Sequence, residues 1–230
     1  MVVLSQEEIK KKLGVKAATL MQNGMKIGLG TGSTAAYFIE ALAQKLHERT
    51  LTIQATASSE ASAQLAKKWG IPLQELDTLG PLDVTVDGAD EIDPSKRMIK
   101  GGGGAHVHEK IVAAASKELI ILVDESKLVH NLGETRALPI EVLSFGKETT
   151  KRHIDKLGMH ASWRLNTQKM LFLSDGGNPI LDVRLPHSLE NPESLDQTLR
   201  NIPGVLDTGF FFHLAGRVLV GFADGQITIR

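Results

Sequence analysis

Apolar residues recur at two spacings along the 230-residue chain, and its first half switches regularly between them. Ile9, Leu13, Ala17 and Leu20 follow a helical repeat behind Ser5 and Glu8, whose spacing is that of a capping box, and Gly24 offers a stop. A short apolar strand then enters Gly28-Leu29-Gly30-Thr31-Gly32-Ser33-Thr34, and Ala35, Phe38, Ile39, Leu42 and Leu46 give the next helix one apolar face. The unit repeats as a strand near 51–57, a Ser58-Ser59 turn, a helix over 60–69 closed by Gly70, and a strand near 71–76. Leu82, Val84 and Val86 alternate into Asp87-Gly88-Ala89-Asp90-Glu91, and a glycine run within 98–104 leads into a helix through Val107, Ile111 and Ala114. Residues 119–123 are all apolar, as in a strand buried on both faces. Such alternation predicts a parallel sheet.

After about Lys127 the texture changes. A helix near 147–157, strands near 161–166, 169–174 and 180–185, and a helix over 193–202 follow without glycine-loop motifs, which predicts an α+β lobe. Strand character returns at 209–213 and 218–222, with Asp224-Gly225 as a hairpin turn before 227–229, and these strands are expected to rejoin or flank the first domain. The expected organisation is an α/β domain over 1–130 plus 206–230 and a smaller α+β lobe over 131–205.

Composition narrows the class of ligand. With 26 basic and 27 acidic residues the chain has no dominant field, so a nucleic-acid surface is not expected and an anion site must be local. No cysteine is present, which removes thiolate chemistry, disulfides and Cys-based zinc sites. Residues 1–20 mix acids and lysines without an apolar core, and no apolar run approaches the roughly 20 residues that span a bilayer, so a cytoplasmic chain with no membrane partner is expected.

Three clusters carry candidate chemistry, and each follows a predicted strand, at the carboxyl edge where α/β sheets bind ligands. The 28–34 loop offers backbone N–H groups and the hydroxyls of Thr31, Ser33 and Thr34 at a helix N-terminus: a phosphate cradle, or a tight turn needing glycine for geometry alone. No acid stands near 52–55 to hold a ribose and no lysine follows the last glycine, so dinucleotide and Walker-type readings are disfavoured. Asp87, Asp90, Glu91 and Asp93 crowd a strand end, either as a solvated acidic turn or as a site for hydroxyls and protons; metal binding is the lesser third reading. In the third cluster Lys100 and the glycines 101–104 precede His106, His108, Glu109 and Lys110, and a ligand approaching the backbone explains the run better than a linker. Glu109 alone would be an ordinary surface helix residue, and His106 and His108 read as surface or packing residues. Lys10 and Lys127 are by default solvated lysines, and Asp175-Gly176-Gly177-Asn178 is a turn.

Taken together, the 28–34 loop, Asp87-Gly-Ala-Asp-Glu91 and Lys100-Gly-Gly-Gly-Gly-Ala105 with Glu109-Lys110 resemble the signature of the A-type ribose-5-phosphate isomerases. The likeness continues through Ser58-Ser59, Asp124-Glu-Ser-Lys127, Leu138-Pro-Ile-Glu-Val142 and Asn201-Ile-Pro-Gly-Val205. It implies a Rossmann-like domain with a smaller, ferredoxin-like lobe, and interconversion of ribose 5-phosphate and ribulose 5-phosphate through an enediolate in the pentose phosphate pathway. It implies neither metal nor organic cofactor, and a homodimer or tetramer. By the same resemblance Glu109 is the base, and the chemistry of such an isomerisation makes Lys100 the expected stabiliser of the enediolate and Asp87 the expected group for proton exchange at the sugar oxygens. Thr31, Gly32, Ser33, Thr34, Asp87, Gly88, Ala89, Asp90, Lys100, Gly101, Gly102, Gly103 and Lys127 contact substrate, and Lys10 contacts the phosphate. His106 and His108 depart from the pattern, where the family more often has a leucine and an arginine. The rival from another class is a sugar-phosphate sensor domain that binds without turnover; roughly 20 residues before the first strand are too few for the DNA-binding module such regulators carry.

Overall fold

The computed structural model describes residues 3–186 and 189–230. Met1 and Val2, at the start of the expected first domain, and His187 and Ser188, within the expected lobe, lie outside the described residues. Two compact units emerge: residues 1–89, 108–128 and 214–230 in one, 90–107 and 129–213 in the other.

In the first unit α1 (Gln6–Ala18) begins at the expected capping box, Ser5 accepting from the Glu8 N–H while the Glu8 carboxylate accepts from the Ser5 N–H. β1 (Lys26–Leu29), α2 (Ser33–His47), β2 (Gln54–Ala57), α3 (Glu60–Lys68) and β3 (Val84–Gly88) follow as the hydrophobic pattern requires. Residues 71–76, expected as a strand, make only an isolated bridge between Leu73 and Ala55 before the short α4 (Leu76–Leu79). α5 (His106–Ala114) carries the chain towards β6 (Leu119–Asp124), whose six residues are all buried. The tail adds β12 (Ala215–Gly221) and β13 (Ile227–Ile229), and the sheet reads β13-β12-β6-β3-β1-β2, parallel except for the edge strand β13. Leu13, Ile27, Leu29, Phe38, Ile39 and Leu42 are fully buried in its core.

β1 is flanked by β2 on one side and β3 on the other. The connections from this pair therefore diverge, creating the switch point at which α/β sheets open a crevice beyond the strand ends.

The second unit contains a four-stranded antiparallel sheet, β10-β7-β9-β8, built from β7 (Leu138–Val142), α6 (Lys147–Asp155), β8 (His160–Trp163), β9 (Ile180–Arg184), α7 (Pro192–Arg200) and β10 (Val205–Thr208). That is the βαββαβ order of a ferredoxin-like lobe. Its core joins Leu138, Ile140 and Val142 to Ile154, Leu181, Val183 and Leu199. The strand expected over 169–174 is absent; the arm there makes only isolated bridges, Leu165 with Leu171 and Leu173 with Pro179, around the expected turn at 175–178. β4 (Glu91–Ile92), β5 (Met98–Ile99) and β11 (Phe210–Phe211) form a small third sheet. Residues 90–107 therefore group with the lobe rather than with the first domain, because β5 pairs with β11 and the Val129 N–H donates to the Ile92 carbonyl. Of the returning strands, β12 and β13 join the first unit and β11 does not.

Candidate active site

The glycine loop and the first acid of the cluster meet at the switch point. Asp87 is the last residue but one of β3, at 1% exposure, and its Oδ1 accepts the Thr31 N–H at 2.8 Å and the Gly88 N–H at 2.7 Å. A Cβ on Gly30 would collide with the Asp87 carboxyl group and the Val86 carbonyl, so only glycine lets the loop lie against this acid. The loop is held from behind as well. Ser62 donates to the Gly30 carbonyl at 2.6 Å, and the Thr31 and Ser58 hydroxyls lie 2.9 Å apart.

Gly32 is the N-cap of α2 with φ of 95°, a region closed to most side chains, and it supplies no capping group. The first turn, with exposed Ser33 and half-buried Thr34, thus presents backbone N–H groups and hydroxyls at the positive end of the helix. Lys127 is half-buried on the 3-10 turn after β6, and Lys10 is half-buried in α1, whose entry is tied to the turn between β12 and β13 by the Leu4 N–H on the Ala223 carbonyl.

Glu109 departs from the behaviour of a surface helix residue. It stands in the first turn of α5 at 3% exposure. α5 is the crossover helix between parallel β3 and β6, so its first turn lies towards the carboxyl edge of the sheet. The two histidines beside it diverge: His106 is fully buried and His108 exposed.

The remaining acids of the cluster separate onto different partners, which resolves their crowding in sequence. Asp90 Oδ2 accepts the Gly102 N–H at 2.8 Å. Glu91, fully buried, accepts from the N–H groups of Gly133, Thr135 and Arg136 and from the Thr135 hydroxyl, all within 2.6–2.7 Å. Asp93 closes its own turn through the Ser95 and Arg97 N–H groups and pairs with the Arg97 guanidinium at 2.5 Å. Among the described residues, no three His, Asp or Glu side chains are gathered so that they could hold a metal ion.

Lys100 is 3% exposed, and its ammonium lies 5.3 Å from the centre of the Phe211 ring, a favourable place for a cation withdrawn from water. Its N–H donates to the Gly209 carbonyl, continuing the β5–β11 pairing. Gly101 to Gly104 then turn back on themselves through the Gly104 N–H on the Gly101 carbonyl, leaving Gly102 and Gly103 exposed. Within the first unit the fold thus gathers Thr31, Gly32, Ser33, Thr34, Asp87 and Gly88; within the second, Asp90 and residues 100–103.

Several contributors were not legible in sequence. Ser62 and the Arg164–Asp182 pair brace the two glycine loops, and Phe211 faces the Lys100 ammonium, all from positions far along the chain that no local spacing marks.

The profile of the family Ribose 5-phosphate isomerase A (phosphoriboisomerase A) matches residues 54–225. A relative from Protochlamydia amoebophila named Ribose-5-phosphate isomerase A is 47% identical over 225 residues, covering 96% of this chain and 94% of its own. The solved ribose 5-phosphate isomerase A of Methanocaldococcus jannaschii superposes with a TM-score of 0.92 at 38% identity, covering 98% of this chain and 99% of that one. A D-ribose-5-phosphate isomerase solved in complex with phospho-erythronic acid gives a TM-score of 0.94 at 35% identity, with 99% of both chains covered. A likeness this close over nearly the whole length, on a chain that keeps its glycine loop against Asp87 and its lysine beside the second glycine run, places the protein in the ribose 5-phosphate isomerase A family.

Proposed function

We infer that this chain interconverts D-ribose 5-phosphate and D-ribulose 5-phosphate, with Glu109 as the base that moves the proton between C2 and C1. The observation that carries the assignment to Glu109 is its burial in the first turn of α5, where an idle glutamate would face water. In the forward direction its carboxylate takes the C2 proton of the open-chain aldose. The released electron pair forms the C1–C2 double bond, and charge moves onto O1. Glu109 then returns the proton to C1 as the O2 carbonyl forms. Asp87 carries the accompanying proton exchange at the sugar oxygens, including ring opening, and Asp90 orients the hydroxyls. Lys100 stabilises the enediolate, a charge that exists only along the reaction path. The first turn of α2, with Ser33 and Thr34, holds the phosphate together with Lys10, while Lys127 adds a further substrate contact. Phosphate binding positions carbons remote from it, converting binding energy into rate. The reaction is redox-neutral, so a single base and an electrophile suffice.

The bound phospho-erythronic acid of the similar enzyme supports this reading, since a four-carbon phosphorylated acid carries a carboxylate where an enediolate carries its charge. A cytoplasmic setting and a homodimeric or tetrameric assembly complete the proposal. The test is ketose formation from ribose 5-phosphate by the purified protein, with EDTA in a parallel tube. Equal turnover in both tubes is expected. Binding without turnover assigns the chain to the sensors, and loss of activity in EDTA overturns the metal-free route.

A further inference from the structure

The glycine run after Lys100 does not hold its shape alone. Nη1 of Arg164 donates to the carbonyls of Gly101 and Gly102 at 2.9 and 3.1 Å. The other edge of the guanidinium, Nε and Nη2, meets the two oxygens of Asp182 at 3.0 and 2.5 Å. Arg164 is fixed in turn: its N–H donates to the Ile180 carbonyl, its own carbonyl accepts the Phe172 N–H, and its guanidinium lies 5.7 Å from the Phe172 ring centre. The same ring occupies the space that a Cβ on Gly104 would need, and the Asp175 N–H donates to the Gly104 carbonyl. The arm between β8 and β9 therefore grips one side of the glycine run.

Peptide planarity fixes where the neighbouring N–H groups point. In a trans peptide the N–H points opposite to the carbonyl. With the Gly101 carbonyl on Arg164, the Gly102 N–H must face the other way, and there it meets Asp90 Oδ2. With the Gly102 carbonyl on Arg164, the N–H of exposed Gly103 is likewise turned away from the guanidinium. A cation on a peptide carbonyl also polarises that peptide and strengthens its N–H as a donor.

We propose that Arg164, clamped by Asp182, is a positioning residue of the isomerase, orienting the 101–103 peptides so that the Gly103 N–H serves as a donor to the substrate oxygen on which negative charge develops. This rests on the isomerase reading above. A guanidinium is required, because only its planar fork can hold a carboxylate on one edge and two carbonyls on the other.

The test compares kcat and KM for wild type, Arg164→Lys, Arg164→Ala with and without millimolar methylguanidinium, and Asp182→Asn, at a temperature well below every thermal midpoint. Arg164→Lys is expected to lower kcat about tenfold or more while KM moves less than about threefold. Methylguanidinium, and not methylammonium, is expected to restore part of the kcat of Arg164→Ala. Asp182→Asn should fall in the same sense by a smaller factor, and serves if the arginine variants do not fold. A kcat near wild type in the folded variants, a change confined to KM, or equal rescue by methylammonium overturns the positioning role while the isomerase reading stands. Absence of turnover in the wild type removes the isomerase reading itself, and this proposal with it.

Discussion

Asp87, Asp90, Glu91 and Asp93 stand within seven positions of one another, yet their partners lie at Thr31, Gly102, the 133–136 loop and Arg97. Sequence could mark the cluster as needing an explanation, because crowded carboxylates repel. It could not divide the labour, because three of the four partners come from distant segments. Glu91 emerges as a structural hub, and Glu91→Ala is expected to cost about 2–4 kcal/mol in urea unfolding by stripping the donors of 133–136. Gly30→Ala is expected to lower kcat more than about tenfold, since its Cβ displaces the Asp87 carboxyl group. Wild-type kinetics in that variant would mean that Asp87 need not sit where β3 places it. In sequence only its neighbours distinguish Glu109 from an ordinary helix residue, and its burial supplies the independent reason to give it a role.

Elements with strong periodicity or caps were legible, and those defined by partners were not. α1 begins at Ser5 because the cap is written locally. Residues 71–76 and 169–174 have strand-like composition but find little ladder to join. β7 is a central strand that nonetheless holds Pro139. It is tolerated because it lies beyond the last β10–β7 pair, Thr208 with Ile140, where only its carbonyl is used, by the Gly209 N–H. At the joint of β6 and β12, the Arg217 guanidinium holds the Glu118 carboxyl below its ordinary value by a two-point contact at 2.7 and 2.8 Å. A depressed folded value stabilises above the unfolded value of about 4.3 and is lost as pH falls through the folded one. Glu118→Gln is therefore expected to cost about 0.2–1 kcal/mol near neutral pH, with the gap from wild type closing below about pH 4. A gap that persists at low pH would trace to packing rather than charge.

At the scale of the whole molecule, alternation of strand and helix announced the parallel sheet, and the change of texture near Lys127 announced the lobe. What could not be read was that residues 90–107 group with the lobe, since the pairing of β5 with β11 joins segments about a hundred residues apart. Phospho-erythronic acid at about a hundred times its Kd is expected to stabilise the protein by about 2.7 kcal/mol, read as a rise of several degrees in thermal midpoint; inorganic phosphate at the same concentration should give much less. Equal shifts would show that the sugar-acid portion adds nothing to binding. Whether Glu109 moves the proton is measured most directly by turnover of ribose 5-phosphate by Glu109→Gln beside wild type, with phospho-erythronic acid binding as the control for a folded site. A fall in kcat of at least about a hundredfold is expected with binding held within a few-fold; a kcat within about threefold of wild type would remove Glu109 as the base.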